Sequence, residues 1–276
     1  MSQVDLHIHT TASDGKYPPA EIVRMSADCG LRYIAICDHD SIDGILPAQR
    51  EASSRPPIEV IAGVEINTDT SIGELHILGY FVDVQNEELK TTLERLRNSR
   101  ELRAQKMIDK LWKLGIHLEY AQVKKIAGEG SVGRPHIAQA MLEKGYINSF
   151  KEAFMKYISR GGPAYVERDK ITPAEATQLI IRASGIPALA HPLTCGDPEA
   201  IVRDLASAGL RGLEVFYSGY SPEQIQGLLV LADKYNLLAT GGSDFHGLDT
   251  LNEPPLGSVE VPVQTAQGLI DLARRN

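Results

Sequence analysis

Short apolar runs alternate with amphipathic stretches along most of the chain, and their spacing predicts the elements. Over residues 4–10, Leu6 and Ile8 alternate with His7 and His9; the period of two predicts a strand with both imidazoles on one face. Pro18-Pro19-Ala20-Glu21 opens a helix that runs to Cys29, with Gly30 placed to end it. A strand over 33–37, a helix over 45–53, a break at Pro56-Pro57 and a strand over 58–64 continue an αβ rhythm. Residues 75–82 are a near-continuous apolar run after a Thr-Asp-Thr-Ser-Ile-Gly turn, so a fourth strand follows the third with no full helix between them. That departs from a regular eightfold barrel.

From Asn86 the period changes. Leu89, Leu93, Leu96, Met107, Leu111 and Leu114 fall at helical spacing among Arg95, Arg97, Arg100, Arg103, Lys106, Lys110 and Lys113, which predicts one long amphipathic helix ending at Gly115. Further helices over 120–127, 135–144 and 150–159 have no strand between them, so residues 86–162 read as an inserted helical subdomain that interrupts a barrel domain of 1–85 and 163–276. The barrel is expected to resume with a strand over 164–167. Thr172-Pro173-Ala174-Glu175 then supplies an N-cap, a proline at the first helical position and a capping-box glutamate for a helix over 173–184. A strand over 186–190, a helix over 197–208, a strand over 212–216 carrying Glu214, a helix over 222–235 and a strand over 237–241 follow, and Val259-Glu260-Val261 and a helix over 264–274 finish the chain. The fold class is α/β, with close to seven αβ units.

The ends of these apolar runs carry one kind of chemistry. A His-x-His pair on one strand face is by itself a weak metal signal, but Asp14 follows in a Ser-Asp-Gly turn, Asp38-His39-Asp40 ends the second run, and Glu65 ends the third. His76 lies in the fourth run, His191 ends the next, and Asp244 and His246 follow the last. In an α/β barrel, functional groups sit at the carboxyl ends of the parallel strands, so residues this far apart in sequence meet in space.

In this order, Asp5-Leu6-His7-Ile8-His9-Thr10, Asp38-His39, Gly63-Val64-Glu65, Glu74-Leu75-His76, Ala190-His191-Pro192 and Gly242-Ser243-Asp244-Phe245-His246 resemble the motif set of the PHP family, named for polymerase and histidinol phosphatase domains. With Ser13-Asp14-Gly15 and Gly133-Arg134-Pro135-His136, the chain is most similar to the small members that act on 3',5'-nucleoside bisphosphates and short RNA. The resemblance implies a distorted seven-stranded, TIM-like barrel and a metal site of His7, His9, Asp14, His39, Glu65, His76, His191, Asp244 and His246. It further implies that His7, His9, Glu65 and Asp244 hold one metal, Glu65, His76 and His191 a second, and Asp14, His39 and His246 a third. Nitrogen and oxygen donors without thiolate suit Mn²⁺, Zn²⁺ or Fe²⁺, with manganese the leading choice. Two such ions can share a hydroxide and clamp an in-line displacement at phosphorus, which makes Glu65, Asp244 and His191 the catalytic candidates. Asp38 and Asp40 are placed either to accept from a ligating imidazole or to cap the loop.

Within the predicted insertion, Gly128-Glu129-Gly130-Ser131-Val132-Gly133 enters a helix at Pro135, where backbone N–H groups and the Arg134 fork can meet a phosphate; the plainer reading is a helix–helix connection with a surface arginine. His136 is a candidate substrate contact or proton donor, Arg160 a weaker phosphate contact, and His117 a structural residue. The charge is polarised: residues 86–168 hold 16 Lys+Arg against 10 Asp+Glu, a local +6, leaving −14 on the rest of a chain with formal charge −8. A cationic insertion beside an acidic, metal-ligating barrel suits a small anionic nucleotide or short single-stranded RNA, not duplex nucleic acid.

Cys29, Cys37 and Cys195 are odd in number and unclustered, against a disulfide framework or a thiolate zinc site. With three residues before the first strand and no apolar run near the roughly 20 residues of a membrane span, the chain is expected in the cytoplasm and off the membrane. The resemblance implies a phosphoric monoester hydrolase acting on the 3'-phosphate of a nucleoside bisphosphate and extending to short RNA. The alternatives are a histidinol-phosphate-type phosphatase and a metal-dependent nucleotide-binding module without turnover.

Overall fold

The structure, a computed structural model, describes residues 2–55, 57–70, 73–128, 132–167, 171–194, 196–248 and 254–275. Seven strands form one sheet in sequence order: β1 Val4–Ile8, β2 Tyr33–Ile36, β3 Glu59–Asp69, β4 Glu74–Tyr80, β5 Ile186–Leu189, β6 Gly212–Tyr217 and β7 Leu238–Gly242. Neighbours pair in parallel except at β3–β4 and β4–β5, so β4 alone runs backwards among the described strands. The sheet nearly closes. An isolated bridge joins Ile8 to Phe245, His9 N–H donates to the Phe245 carbonyl at 2.9 Å, and Asp244 N–H to the His7 carbonyl at 2.9 Å. Asp5 ties the same seam: its carboxylate accepts from Ser243 N–H (2.9 Å), Ser243 Oγ–H (2.6 Å) and Gly257 N–H (2.9 Å).

The absence of a helix between β3 and β4 has a direct cause. β3 does not stop at Glu65 as its apolar run suggests. It continues to Asp69 and folds back in register on β4, with Glu65 opposite Leu78 and Asn67 opposite His76. An antiparallel partner needs only a hairpin, whereas a parallel one needs a crossover. It also brings the amino end of β4, with His76, to the end of the barrel where the parallel strands finish.

Helices α1 Pro19–Asp28, α2 Ile45–Ser53, α7 Pro173–Arg182, α8 Pro198–Ser207, α9 Pro222–Lys234 and α10 Val263–Ala273 match the expected spans to within two residues. Thr172 caps α7, accepting from Glu175 N–H while the Glu175 carboxylate accepts from Thr172 N–H, as the sequence predicts. The barrel core packs Val4, Leu6, Ala35, Ile61, Leu78, Tyr80, Ile186 and Ala188, all with essentially no exposed surface.

The chain divides into two compact units, Met1–Leu93 with Ile171–Asn276, and Glu94–Lys170. The division falls inside α3 Glu87–Lys113. The second unit continues with α4 Tyr120–Ala127, α5 Arg134–Glu143, α6 Phe150–Ala153 and a π turn over Phe154–Ile158, around a core of Met107, Leu111, Val123, Ile137, Met141 and Ile158. One expectation needs correction. Residues 164–167 form no strand: Ala164 is buried in this helical core, the Tyr165 carbonyl accepts from Lys110 Nζ, and the Val166 carbonyl from Arg103 Nε, so side chains of α3 occupy the acceptors a ladder would need. Arg103 is thereby buried rather than part of a solvated face. Among the described residues, no helix is long and apolar enough to cross a membrane.

Candidate metal centre

Nine side chains anticipated as ligands come from six strands or the loops that follow them, and the structure brings them together at one end of the barrel. His7 and Glu65 lie within strands and point inward; His9, His39, His191, Asp244 and His246 follow strand ends; His76 comes from the reversed strand; Asp14 lies on the turn after β1. His7, His9 and Glu65 form a fully buried floor, and Asp14, with a third of its side chain exposed, marks the rim.

Glu65 is the hub. Its Oε1 lies 2.8 Å from His76 Nδ1 and 3.1 Å from His191 Nε2, which are 3.2 Å from each other. Its Oε2 lies 3.3 Å from His7 Nε2, 3.2 Å from His9 Nε2 and 3.0 Å from His39 Nδ1. Asp244 Oδ1 adds contacts of 3.3 Å to His7 Nε2 and 3.0 Å to His9 Nε2. On the outer side, Asp14 lies 3.4 Å from His246 Nε2, 3.6 Å from His9 Nδ1 and 3.8 Å from His39 Nε2.

Glu65 Oε1 is hydrogen-bonded to His76 and His191, whereas the atoms around Oε2 are close to it without an aligned hydrogen bond. His7 Nε2, both nitrogens of His9 and Glu65 Oε2 are buried and make no aligned hydrogen bond. Unsatisfied polar atoms of that kind are costly, and buried charges are held where they pair or coordinate metals. Unsatisfied donor atoms clustered around common points fit divalent cations. Among the described residues, three groups have ligand atoms mutually within 4.8 Å: His7, His9, Glu65 and Asp244; His9, Asp14, His39 and His246; and His39, Glu65 and His76. The first is the set the resemblance implies. The second adds His9, and the third exchanges His191 for His39, although His191 Nε2 keeps its contact with Glu65 Oε1.

The electrostatics follow from burial against charge. Burial would depress His7 and His9, but Asp244, Glu214 and Glu65 hold His7 well above its ordinary value, and Asp244 and Glu65 carry His9 to about 10. Burial opposes ionisation of Glu65 and Asp14, yet surrounding imidazoles hold both carboxyls well below the usual range. His76 goes the other way, its burial outweighing Glu65.

Hydrogen bonds behind the rings fix which nitrogen faces the cluster. Thr194 Oγ–H donates to the His191 carbonyl (2.9 Å), so its oxygen accepts from His191 Nδ1–H (3.0 Å) and leaves Nε2 facing Glu65. The Asp244 carbonyl accepts from His246 Nδ1–H at 2.8 Å, leaving Nε2 facing Asp14. Glu214 Oε1 accepts from His7 Nδ1–H at 2.9 Å, and Tyr217 O–H donates to Asp244 Oδ2 at 2.9 Å. Of the two carboxylates flanking His39, Asp38 holds the loop: it accepts from Thr10 N–H (2.7 Å), Thr10 Oγ–H (2.7 Å) and Ser13 Oγ–H (2.6 Å). Asp40 accepts from Asn67 N–H at 2.9 Å, and the Asn67 amide contacts His39 Nδ1 at 2.9 Å. Sequence reasoning noted Glu214 but gave it no role, and passed over Tyr217, Thr194 and Asn67. A single carboxylate inside an otherwise apolar strand was the available signal, because a buried charge needs a partner.

Gly15 is required where it stands. A Cβ there would lie 2.6 Å from the His9 carbonyl carbon, so only glycine lets the Asp14 turn close onto the strand end. Cys37 is buried beneath the site and its thiol is pushed up by burial, as expected of an inert core thiol; Cys195 lies outside the described residues.

The remaining candidates lie in the second unit. Arg134 begins α5 with its guanidinium over the Phe154 ring, 5.7 Å from the centroid. His136 Nδ1 accepts from Gly133 N–H at 2.9 Å, which places the proton of the neutral ring on Nε2. Arg160 lies 3.6 Å from Glu167. His117 packs edge-on against Trp112, with centroids 4.4 Å apart. Residues 129–131 of the glycine-rich loop lie outside the described residues.

A seven-stranded α/β barrel collecting six histidines and three carboxylates at its strand ends defines a barrel with a candidate polynuclear metal centre. The chain belongs to the PHP domain family, which matches residues 5–167. It is 35% identical over 246 residues to the 5'-3' exoribonuclease of Haemophilus influenzae, covering 88% of this chain and 89% of that protein. It is 29% identical over 251 residues to the 3',5'-nucleoside bisphosphate phosphatase of Chromobacterium violaceum, covering 89% and 88%. A solved structure from Bifidobacterium adolescentis, whose assignment as a metal-dependent phosphoesterase is itself an inference, superposes with a TM-score of 0.84 at 29% identity, covering 98% and 96% of the two chains.

Proposed function

We propose that the chain hydrolyses the 3'-phosphate of 3',5'-nucleoside bisphosphates, giving the 5'-monophosphate and phosphate, and that the same centre acts on the ends of short RNA. The reaction class is that of a metal-dependent phosphoesterase of the PHP family. The observation that carries the reading is Glu65, whose two oxygens meet five imidazole nitrogens and whose Oε2 has no aligned donor. One carboxylate shared among that many nitrogen donors would suit the holding of divalent ions. Once bound, such ions neutralise phosphoryl charge and make water nucleophilic at neutral pH.

The chain's own part is orientation and charge. Glu65 and Asp244 set negative charge at the floor against His7 and His9. Thr194, Glu214 and the Asp244 carbonyl hold three imidazoles with one nitrogen turned to the cluster. Arg134, His136 and Arg160 are the proposed substrate contacts, and the +6 of residues 86–168 supports a substrate with more than one phosphate. The relatives support a nucleotide: one is named for a bisphosphate and the other for RNA.

The test is phosphate release with Mn²⁺ from adenosine 3',5'-bisphosphate, adenosine 5'-monophosphate, histidinol phosphate and an aryl phosphate. The expected order puts the bisphosphate first in kcat/KM by about tenfold or more. Histidinol phosphate as the best substrate would replace the proposal, and binding of the bisphosphate without phosphate release would favour the non-catalytic alternative.

A further inference from the structure

Strand β6 contributes no residue to the three ligand groups, yet it carries a carboxylate with no exposed surface, Glu214, aimed into the barrel beneath them. Its two oxygens are engaged on different sides of the centre. Oε1 meets His7 Nδ1 at 2.9 Å, and Oε2 accepts the backbone N–H of His191 at 2.6 Å. His7 belongs with His9, Glu65 and Asp244 around Glu65 Oε2, whereas His191 faces Glu65 Oε1 beside His76. His191 also has a φ of +27°, a left-handed backbone that a residue with a side chain holds only when its surroundings enforce it. The register of β6 against β7 slips between Glu214 and Phe216, so the strand is irregular at this point.

We propose that Glu214 is a positioning residue that locks His7 and His191 together, setting the tautomer of the first and the backbone of the second, so that ligands on both sides of Glu65 are presented as one unit. The inference rests on the metal-centre reading above. A carboxylate offers acceptors only, so His7 must carry its proton on Nδ1 and turn the lone pair of Nε2 toward Glu65 and Asp244. No other side chain of this size serves both partners. A glutamine at 214 has one oxygen and one NH₂: if the oxygen stays with His191 N–H, the amide donates to His7 Nδ1 and forces the proton onto Nε2, where a cation would bind. If the oxygen serves His7, two N–H groups face each other at His191. Glu214→Gln therefore keeps the volume and breaks the arrangement, which a role in packing alone would not predict.

The experiment uses full-length protein with Zn²⁺ as a diamagnetic probe. Chelator competition measures zinc affinity of wild type and Glu214→Gln, and long-range proton–nitrogen correlation of labelled histidine reports the protonated nitrogen of His7 in the zinc-loaded wild type. The expected results are a His7 proton on Nδ1 and a loss of about 10- to 100-fold in zinc affinity in a variant with unchanged circular dichroism. A wild-type proton on Nε2, or a folded variant that binds zinc as tightly as wild type, overturns the inference while leaving the metal-centre reading in place. Wild-type protein that takes up no zinc overturns both. If Glu214→Gln does not fold, the wild-type tautomer decides.

Discussion

Tyr217 donates its hydroxyl hydrogen bond to Asp244 Oδ2 at 2.9 Å, while Asp244 Oδ1 faces His7 and His9. Burial and the carboxylates of Asp244 and Glu214 push the phenol far above its ordinary value, so it stays a donor throughout the working range. Asp244 sits at φ +55°, and the hydrogen bond fixes which oxygen turns to the cluster. Tyr217→Phe should keep the fold and lower metal affinity and kcat/KM about tenfold, roughly 1.4 kcal/mol for one hydrogen bond to a charged group. Unchanged values in a variant that folds would remove Tyr217 from the account.

Removing the metals should expose a pH dependence. In chelated protein the imidazolium forms of His7 and His9 are favoured by the carboxylates around them, His9 titrating at about 10. A pKa raised by folding stabilises in full below the unfolded value of 6.5, and that contribution is lost as pH rises through 10. His76, which burial lowers, titrates below that window. Thermal unfolding of chelated protein should therefore fall in temperature between pH 7 and pH 10, while metal-loaded protein, whose ligands are already deprotonated, should change little over about the same range. A rise for the chelated form would contradict the assigned charge states.

Gly15→Ala tests the close approach at the rim. The added methyl must push the Asp14 turn off the His9 carbonyl, at a cost of about 1–3 kcal/mol. If Asp14, His39 and His246 hold an ion of their own, it should be lost before any held at the floor. Metal analysis at increasing chelator concentration reads that order, and simultaneous loss of all bound metal would argue against a separate outer site.

How much of this was legible in the sequence differs by element. The clustering of most candidate ligands was readable because they sit where an apolar run ends or alternates, as with His7 in β1, His9 just after it and His191 after β5. His76 shows the limit of that rule: it belongs to a reversed strand, and only the hairpin register with Asn67 explains how it reaches the cluster. Glu214 was not readable as an orienting group, since its partners are a ring in another strand and a backbone N–H. The strand expected over 164–167 failed because its carbonyls are taken by Arg103 and Lys110, side chains that the helical pattern assigned to solvent.

Recognition can be separated from chemistry at Arg134. Arg134→Lys keeps the charge and loses the planar fork. If the guanidinium grips the non-reacting phosphate, the change should cost a bisphosphate about 1–3 kcal/mol more in transition-state binding than an aryl phosphate, with a nucleotide monophosphate between them. Equal losses on all three substrates would mean that Arg134 acts on the reacting phosphoryl group; no loss on any would leave it a surface arginine.

Glu65 and its histidines are proposed as a cation-dependent centre for phosphoester hydrolysis, which is tested by titrating Mn²⁺ into chelated protein while following bound metal and phosphate release from adenosine 3',5'-bisphosphate together. The account predicts no turnover in the chelated protein, recovery in step with the ions bound, and no recovery in Glu65→Gln despite an intact fold. Full-rate hydrolysis by protein shown to be metal-free, or by Glu65→Gln, would contradict it.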